Sequence, residues 1–211
     1  MRASLFSEHG LLDEQLNAAL VDLGWTPTPI QKLTIDPLGR GLDRLIIAPT
    51  GSGKTMAAVL PLLERCKNEG WAGLSILYIT PLRALNRDVD RRLQDIAAAS
   101  GLRVGLRHGD TTQYERTKQV KNPPNLLVTT PETFQVMFTG HRLLALLSSV
   151  KVVVIDEVHE LASSERGWQL SLGLARLRAL TGNEVQKVGL SATVGNPNEV
   201  AAWLSPQAEA I

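Results

Sequence analysis

A single cysteine, Cys66, stands in the 211 residues, so no intramolecular disulfide can form. A lone thiol on an expected helix suits a small core residue in a reducing, intracellular setting. An excess of either charge is missing as well, since 22 basic against 21 acidic side chains leave a formal net charge of +1. That balance excludes a generally sticky polycation, and any nucleic-acid binding has to come from local placement of Arg and Lys. Long hydrophobic runs are absent too. The most apolar neighbourhood, Leu143 to Ile155, is interrupted by Ser148, Ser149 and Lys151, short of the roughly 20 apolar residues a membrane-spanning helix needs. A soluble, cytoplasmic protein is the expectation. No internal repeat, low-complexity tract or charged tail breaks the chain into separate regimes.

What is present is enough for a full core, with 44% hydrophobic residues and a length that suits one sizeable domain. Apolar runs recur at Leu45-Ile46-Ile47, Ile76 to Ile79, Leu126-Leu127-Val128, Val152 to Ile155 and, more weakly, Val188 to Leu190. With neither face polar, they read as buried parallel strands. Helical patterns lie between them, such as Met56, Val59, Leu60 and Leu63 at three-to-four spacing. The alternation specifies an α/β fold, a mainly parallel sheet with helices on both faces and its ligand site at the carboxyl edge of the strands. Residues 1–40 form a front section of the same domain with two expected helices, Asp13 to Leu23 and Pro29 to Leu38. Thr112 to Glu115 has capping-box spacing for a short helix that Pro123-Pro124 must end. Thr80-Pro81 and Thr130-Pro131 each pair a potential cap with a proline suited to a first helical turn, which predicts two helix N-termini at the active edge of the sheet.

Two short runs carry the chemistry. Ala48-Pro49-Thr50-Gly51-Ser52-Gly53-Lys54-Thr55 has phosphate-loop spacing after an apolar strand, with Ala48 where the first glycine usually stands. A Gly-rich turn opening a helix points N–H groups at phosphate oxygens, Lys54 adds a mobile positive charge, and Thr55 offers a hydroxyl to Mg²⁺. Asp156-Glu157-Val158-His159 ends another apolar strand. Adjacent carboxylates are costly there unless a metal or hydrogen bonds hold them. Asp156 can hold the metal, leaving Glu157 to orient or deprotonate an attacking water. The expected cofactors are ATP and Mg²⁺.

Around these runs the sequence resembles the first RecA-like motor domain of superfamily 2 DExH-type helicases, here with a DEVH box, and the resemblance covers nearly the whole chain. Gly24-Trp25-Thr26-Pro27-Thr28-Pro29-Ile30-Gln31 looks like the Q motif, which implies that Gln31 reads the adenine edge with its amide donor and acceptor and that Phe6 packs on the base. An exposed helical position for Gln31 and a core-filling role for Phe6 are the alternatives. Thr80-Pro81-Leu82-Arg83-Ala84-Leu85 resembles motif Ia and Thr130-Pro131-Glu132 motif Ib. Both imply contacts with the sugar-phosphate backbone of one strand, through helix N-termini and Arg83. Arg87, Arg91 and Arg92 follow Arg83 on the same expected helix, either touching nucleic acid or forming a solvated face that Asp88, Asp90 and Asp95 partly neutralise. His108-Gly109-Asp110-Thr111-Thr112 is similar to the loop after the third strand, which implies close backbone approach at Gly109 and Asp110 or Thr111 facing the nucleic acid. Ser191-Ala192-Thr193 matches motif III, whose hydroxyls would couple hydrolysis to strand engagement, and His159 would link the site to the moving parts.

The stretches Thr80 to Asp88 and Glu160 to Gly167, with the ending Gly189 to Val200, look like Lhr-type (large helicase-related) enzymes, and archaeal Ski-type helicases share much of the pattern. Arg166-Gly167 is expected to position the strand or the helix after the paired carboxylates, or else to open a salt-bridged helix. The implied partners are single-stranded or partly duplex DNA or RNA, with three-prime to five-prime movement, and a second RecA-like domain of the same protein that supplies arginines to the transferring phosphate. That second domain is expected to lie outside these 211 residues. A nucleotide-switched binding or scaffold module is the alternative from another class, and intact Lys54, Thr55, Asp156 and Glu157 argue against it.

Overall fold

The computed structural model describes residues 14–81, 87–162, 164–192 and 195–211. Helices α1 (Glu14–Asp22) and α2 (Pro29–Gly39) precede strand β1 (Arg44–Ile47), which leads into α3 (Lys54–Asn68). The chain continues through β2 (Ile76–Ile79), α4 (Arg87–Ala99), β3 (Val104–Arg107), α5 (Gln113–Lys121) and β4 (Leu126–Thr129). Helices α6 (Pro131–Met137) and α7 (His141–Leu147) then lead to β5 (Val152–Ile155), α8 (Val158–Leu161) and α9 (Glu165–Thr181). Strand β6 (Gln186–Ser191), α10 (Pro197–Leu204) and the two-residue β7 (Glu209–Ala210) complete the order.

All seven strands pair in parallel in the order β3-β4-β2-β5-β6-β1-β7. Every strand therefore ends on the same edge, and the connections leaving that edge gather the motif residues. Side chains alternate between two apolar layers, as the period of two requires. Ile46, Ile76, Tyr78, Val128, Val152 and Val154 pack against α2, α3 and α4. Leu45, Leu77, Ile79, Leu127, Val153 and Ile155 pack against α6 to α10. Burial of both faces explains why the central strands are unbroken Val, Ile and Leu.

Strand β3 was not among the apolar runs, because Gly105 and Arg107 interrupt it and it sits half-buried at the sheet's edge. Gly105 is needed there, since a Cβ would come within 2.8 Å of Pro124. The front helices match the expected spans to within a residue at each end.

Helix α3 carries an internal proline, Pro61. Its missing N–H strands the carbonyl of Ala57 one turn earlier. Thr34 of α2 fills the gap, its buried hydroxyl donating to the Ala57 carbonyl at 2.7 Å. This bond ties the helix that carries Gln31 to the helix that begins at Lys54.

Candidate functional site

The turn between β1 and α3 is shaped by two left-handed glycines, Gly51 at φ 81° and Gly53 at φ 90°. Ser52 N–H donates to the Pro49 carbonyl at 3.2 Å, and Gly53 precedes the helix whose first N–H groups have no intrahelical acceptor. The Ser52 hydroxyl is buried without a hydrogen-bond partner, a polar atom suited to an anionic ligand. Lys54 folds back over the loop, its Nζ donating to the carbonyls of Ala48 at 2.6 Å and Pro49 at 3.0 Å. Those carbonyls hold the ammonium where a phosphate can displace them. Thr50 is exposed on the same turn and Thr55 stands half-buried in the first turn of α3.

Gln31 is buried rather than exposed on its helix, at 2% of its free surface. Its Oε1 accepts from Trp25 Nε1 at 3.2 Å and from Thr28 N–H at 3.1 Å, while its Nε2 donates to the Gly53 carbonyl at 3.3 Å. Two donors on one oxygen settle the orientation of the amide and fill both of its lone pairs. As placed, Gln31 straps the phosphate loop and retains one N–H for a further acceptor. Gly53 is required at the other end of the strap, because a Cβ would lie 2.4 Å from Gln31 Nε2. Beside it opens a cavity of about 410 Å³ lined by Trp25, Thr28, Gln31, Gly51, Met56 and Arg92. Arg92, grouped with candidate nucleic-acid contacts on sequence grounds, thus lines the cavity next to the loop, whereas Arg91 is exposed and lies 4.0 Å from Asp95. A larger groove of about 730 Å³ between α9 and α10 contains none of the motif residues.

Asp156 follows β5 with both oxygens engaged. Oδ1 accepts from the Glu157 backbone N–H at 2.9 Å, and Oδ2 accepts from the Tyr78 hydroxyl at 2.7 Å and, more loosely, from Thr80 Oγ1 at 3.4 Å. The buried hydroxyl of Thr80 also serves the carboxylate, and the helix turn it was expected to cap lies outside the described residues. Burial pushes the Asp156 carboxyl above the usual range, against the opposing pull of Tyr78, the Glu157 N–H and Lys54. Tyr78 is held well above its ordinary value by burial and then by the Asp156 charge, which keeps its phenol a donor. Tyr78 was missed in the sequence because a tyrosine inside an apolar strand reads as core.

Glu157 is the one non-glycine residue at positive φ among the described residues, at 50°. Such a conformation costs on the order of 1 kcal/mol and tends to mark functional positions. Burial first, and then the Asp156 charge, raise its carboxyl, opposed by His159 and Lys54. His159 Nδ1 lies 3.5 Å from Glu157 Oε2 and 3.0 Å from Ser191 Oγ at the end of β6. The Ser191 hydroxyl donates when Nδ1 is unprotonated and accepts when Nδ1 carries the proton.

The remaining candidates line the same edge. Thr130 caps α6, its Oγ1 accepting from Thr133 N–H at 3.3 Å, with Pro131 in the first turn. Glu132 is held in an exposed ion pair, with Arg166 Nε and Nη2 both donating to its Oε1, at 2.9 and 2.7 Å. After β3, Arg116 donates to the carbonyls of His108, Gly109 and Thr111, which shapes the loop and leaves Asp110 exposed. Pro81 is buried at the end of β2. Phe6, Arg83 and Thr193 lie outside the described residues, as does the first turn expected after Pro81.

The chemistry of this donor set fits Mg²⁺ with a nucleotide. Among the described residues no three His, Cys, Asp or Glu side chains cluster into a metal cage. One carboxylate and one hydroxyl beside a phosphate cradle are what a hexacoordinate ion uses when phosphates and water complete its shell.

Residues 28–200 match the family described as DEAD/DEAH box helicase. Over 84% of its length the chain is 44% identical to the Lhr helicase/uracil glycosylase of Escherichia coli (strain K12), of which the match spans 13%. It is 41% identical over 84% of its length to the ATP-dependent helicase Lhr-Core of Methanothermobacter thermautotrophicus, spanning 22% of that protein. Among solved structures, the Mycobacterium smegmatis helicase Lhr bound to ssDNA and AMP-PNP superposes with a TM-score of 0.85 at 37% identity, covering 99% of this chain and 28% of that one.

Proposed function

The chain belongs to the DEAD/DEAH box helicases of superfamily 2, and from that premise we propose that it is the ATP-binding first motor domain of an Lhr-type helicase that moves three-prime to five-prime on single strands. The observation carrying this reading is the Asp156, Glu157, His159 and Ser191 chain, which joins the proposed metal ligand and water-activating group to the next strand end through contacts of 2.9–3.5 Å. The matched relatives are much longer, and the chain spans 13% and 22% of the two named above.

When bound, Mg²⁺ would neutralise phosphate charge and orient the terminal phosphoryl group. Thr55 and Asp156 would hold it, and Lys54 would leave the Ala48 and Pro49 carbonyls for the phosphates. The Gln31 strap keeps Gly53 in the left-handed turn that exposes the loop's N–H groups, while its remaining N–H and the Trp25 cavity suit a purine base. Glu157, held at positive φ, would accept a proton from water, and the raised carboxyl makes it a stronger base. The resulting change at Glu157 is felt by His159 and Ser191. Thr130, Pro131, Gly109, Asp110 and Arg83 would follow the strand backbone. Glu132 would hold α9 through Arg166 rather than meet phosphate. DNA is the favoured strand, given the ssDNA in the Lhr relative. A second RecA-like domain would close over the edge and supply arginines to the transferring phosphate.

In the full-length protein, Glu157→Gln should leave binding of a fluorescent ATP analogue intact and abolish strand-stimulated turnover. Turnover at the wild-type rate would remove Glu157 from its role as base.

A further inference from the structure

The phenol of Tyr78 has no part in the scheme above, yet it bonds to one side chain assigned to the cation, Asp156, and lies near the other, Thr55. It lies on β2 at 2% exposure, level with Val154 of the adjacent strand β5. Its hydroxyl donates to Asp156 Oδ2 at 2.7 Å, and the Thr55 side chain is close enough to influence it. A hydroxyl costs free energy in an apolar layer unless it is bonded, and here its acceptor is a carboxylate, which makes the bond a strong one. Oδ2 also receives Thr80 at 3.4 Å, whereas Oδ1 receives only the Glu157 N–H among the described partners. The two oxygens are therefore unequal.

We propose that Tyr78 is a positioning residue for the divalent cation: its hydroxyl, with Thr80, immobilises Asp156 Oδ2 and leaves Oδ1 as the oxygen available to the cation or its water. The inference rests on Thr55 and Asp156 being the cation's ligands. It extends that assignment to a residue outside every helicase motif identified in the sequence, and it gives the buried phenol a role that packing alone does not.

The test uses this chain, a fluorescent non-hydrolysable ATP analogue, and titration with Mg²⁺ or excess EDTA. Tyr78→Phe should raise the Mg²⁺ concentration for half-maximal binding enhancement about tenfold, while affinity in EDTA stays within about twofold of wild type. Asp156→Asn should lose the Mg²⁺ enhancement altogether. If Asp156→Asn keeps it, the ligand assignment itself is wrong. If Asp156→Asn loses it but Tyr78→Phe titrates like wild type, the positioning role alone fails. Equal weakening of Tyr78→Phe in EDTA and Mg²⁺ would reduce Tyr78 to a packing residue and also overturn the proposal. A second measurement does not depend on the variant folding. The chain has two tyrosines, and Tyr114 is 78% exposed, so 3-fluorotyrosine labelling gives one buried and one exposed ¹⁹F signal. Adding Mg²⁺ to the nucleotide-bound chain should shift the Tyr78 signal and spare Tyr114; an unmoved Tyr78 signal overturns the proposal.

Discussion

At the level of single residues, Cys66 shows how burial alone sets chemistry. It is 1% exposed on α3, and burial pushes its thiol up from 9.0 to about 11. The unfolded chain releases this proton first as pH rises, so the native state binds more protons between those values. Stability from this group is complete below pH 9 and declines as pH climbs toward 11. Urea unfolding of wild type and Cys66→Ala from pH 8 to 11 should show the wild type losing stability relative to the variant over that interval. A constant difference would mean that the thiol is solvated. The core position of Cys66 was legible from the sequence, because a single thiol amid α3's apolar spacing has little else to do. Gln31 was legible only in part. Its motif marked it as important, but its double role as acceptor for Trp25 and Thr28 and donor to Gly53 depends on a fold that brings residues 22 positions apart within 3.3 Å.

Elements add constraints that no residue carries by itself. The Thr34 hydroxyl repairs the break that Pro61 makes in α3, so Thr34→Val should leave a buried carbonyl unpaired and cost about 1–3 kcal/mol. Chemical denaturation measures this directly, and a loss under about 0.5 kcal/mol would mean that water replaces the hydroxyl. The expected capping box is present on α5, where Thr112 N–H donates to Glu115 Oε2 and Glu115 N–H donates to Thr112 Oγ1. Local rules of this sort were readable because donor and acceptor are three residues apart. Strand β3 was not readable as an apolar run. Its half-exposed edge position relaxes the demand for apolar residues, and its glycine answers to Pro124 across the neighbouring turn. The α6–α9 contact was open in the same way. Arg166 could have been a strand contact, and only the packing of the two helices brings it to Glu132.

For the whole molecule, the parallel sheet puts every strand end on one edge, and under the proposed function that edge is one wall of a cleft. Arginines from a second domain are typically worth a thousandfold or more in nucleotide hydrolysis. Single-turnover assays of this chain, with and without single-stranded DNA, should therefore show nucleotide binding with very slow hydrolysis. Rates typical of an intact helicase would show that this wall suffices alone. No helix among the described residues is long and apolar enough to cross a membrane, in keeping with the interrupted apolar stretch before β5. The amino-acid sequence by itself determined the strand and helix alternation, the phosphate loop and the paired carboxylates, because these follow from local spacing and from the cost of burying charge. Only the tertiary structure decided that Gln31 straps Gly53, that Tyr78 and Thr80 hold Asp156, and that His159 meets Ser191. Each of those contacts joins separate elements, and a hydrogen bond of about 3 Å exists only once the sheet has set its partners side by side.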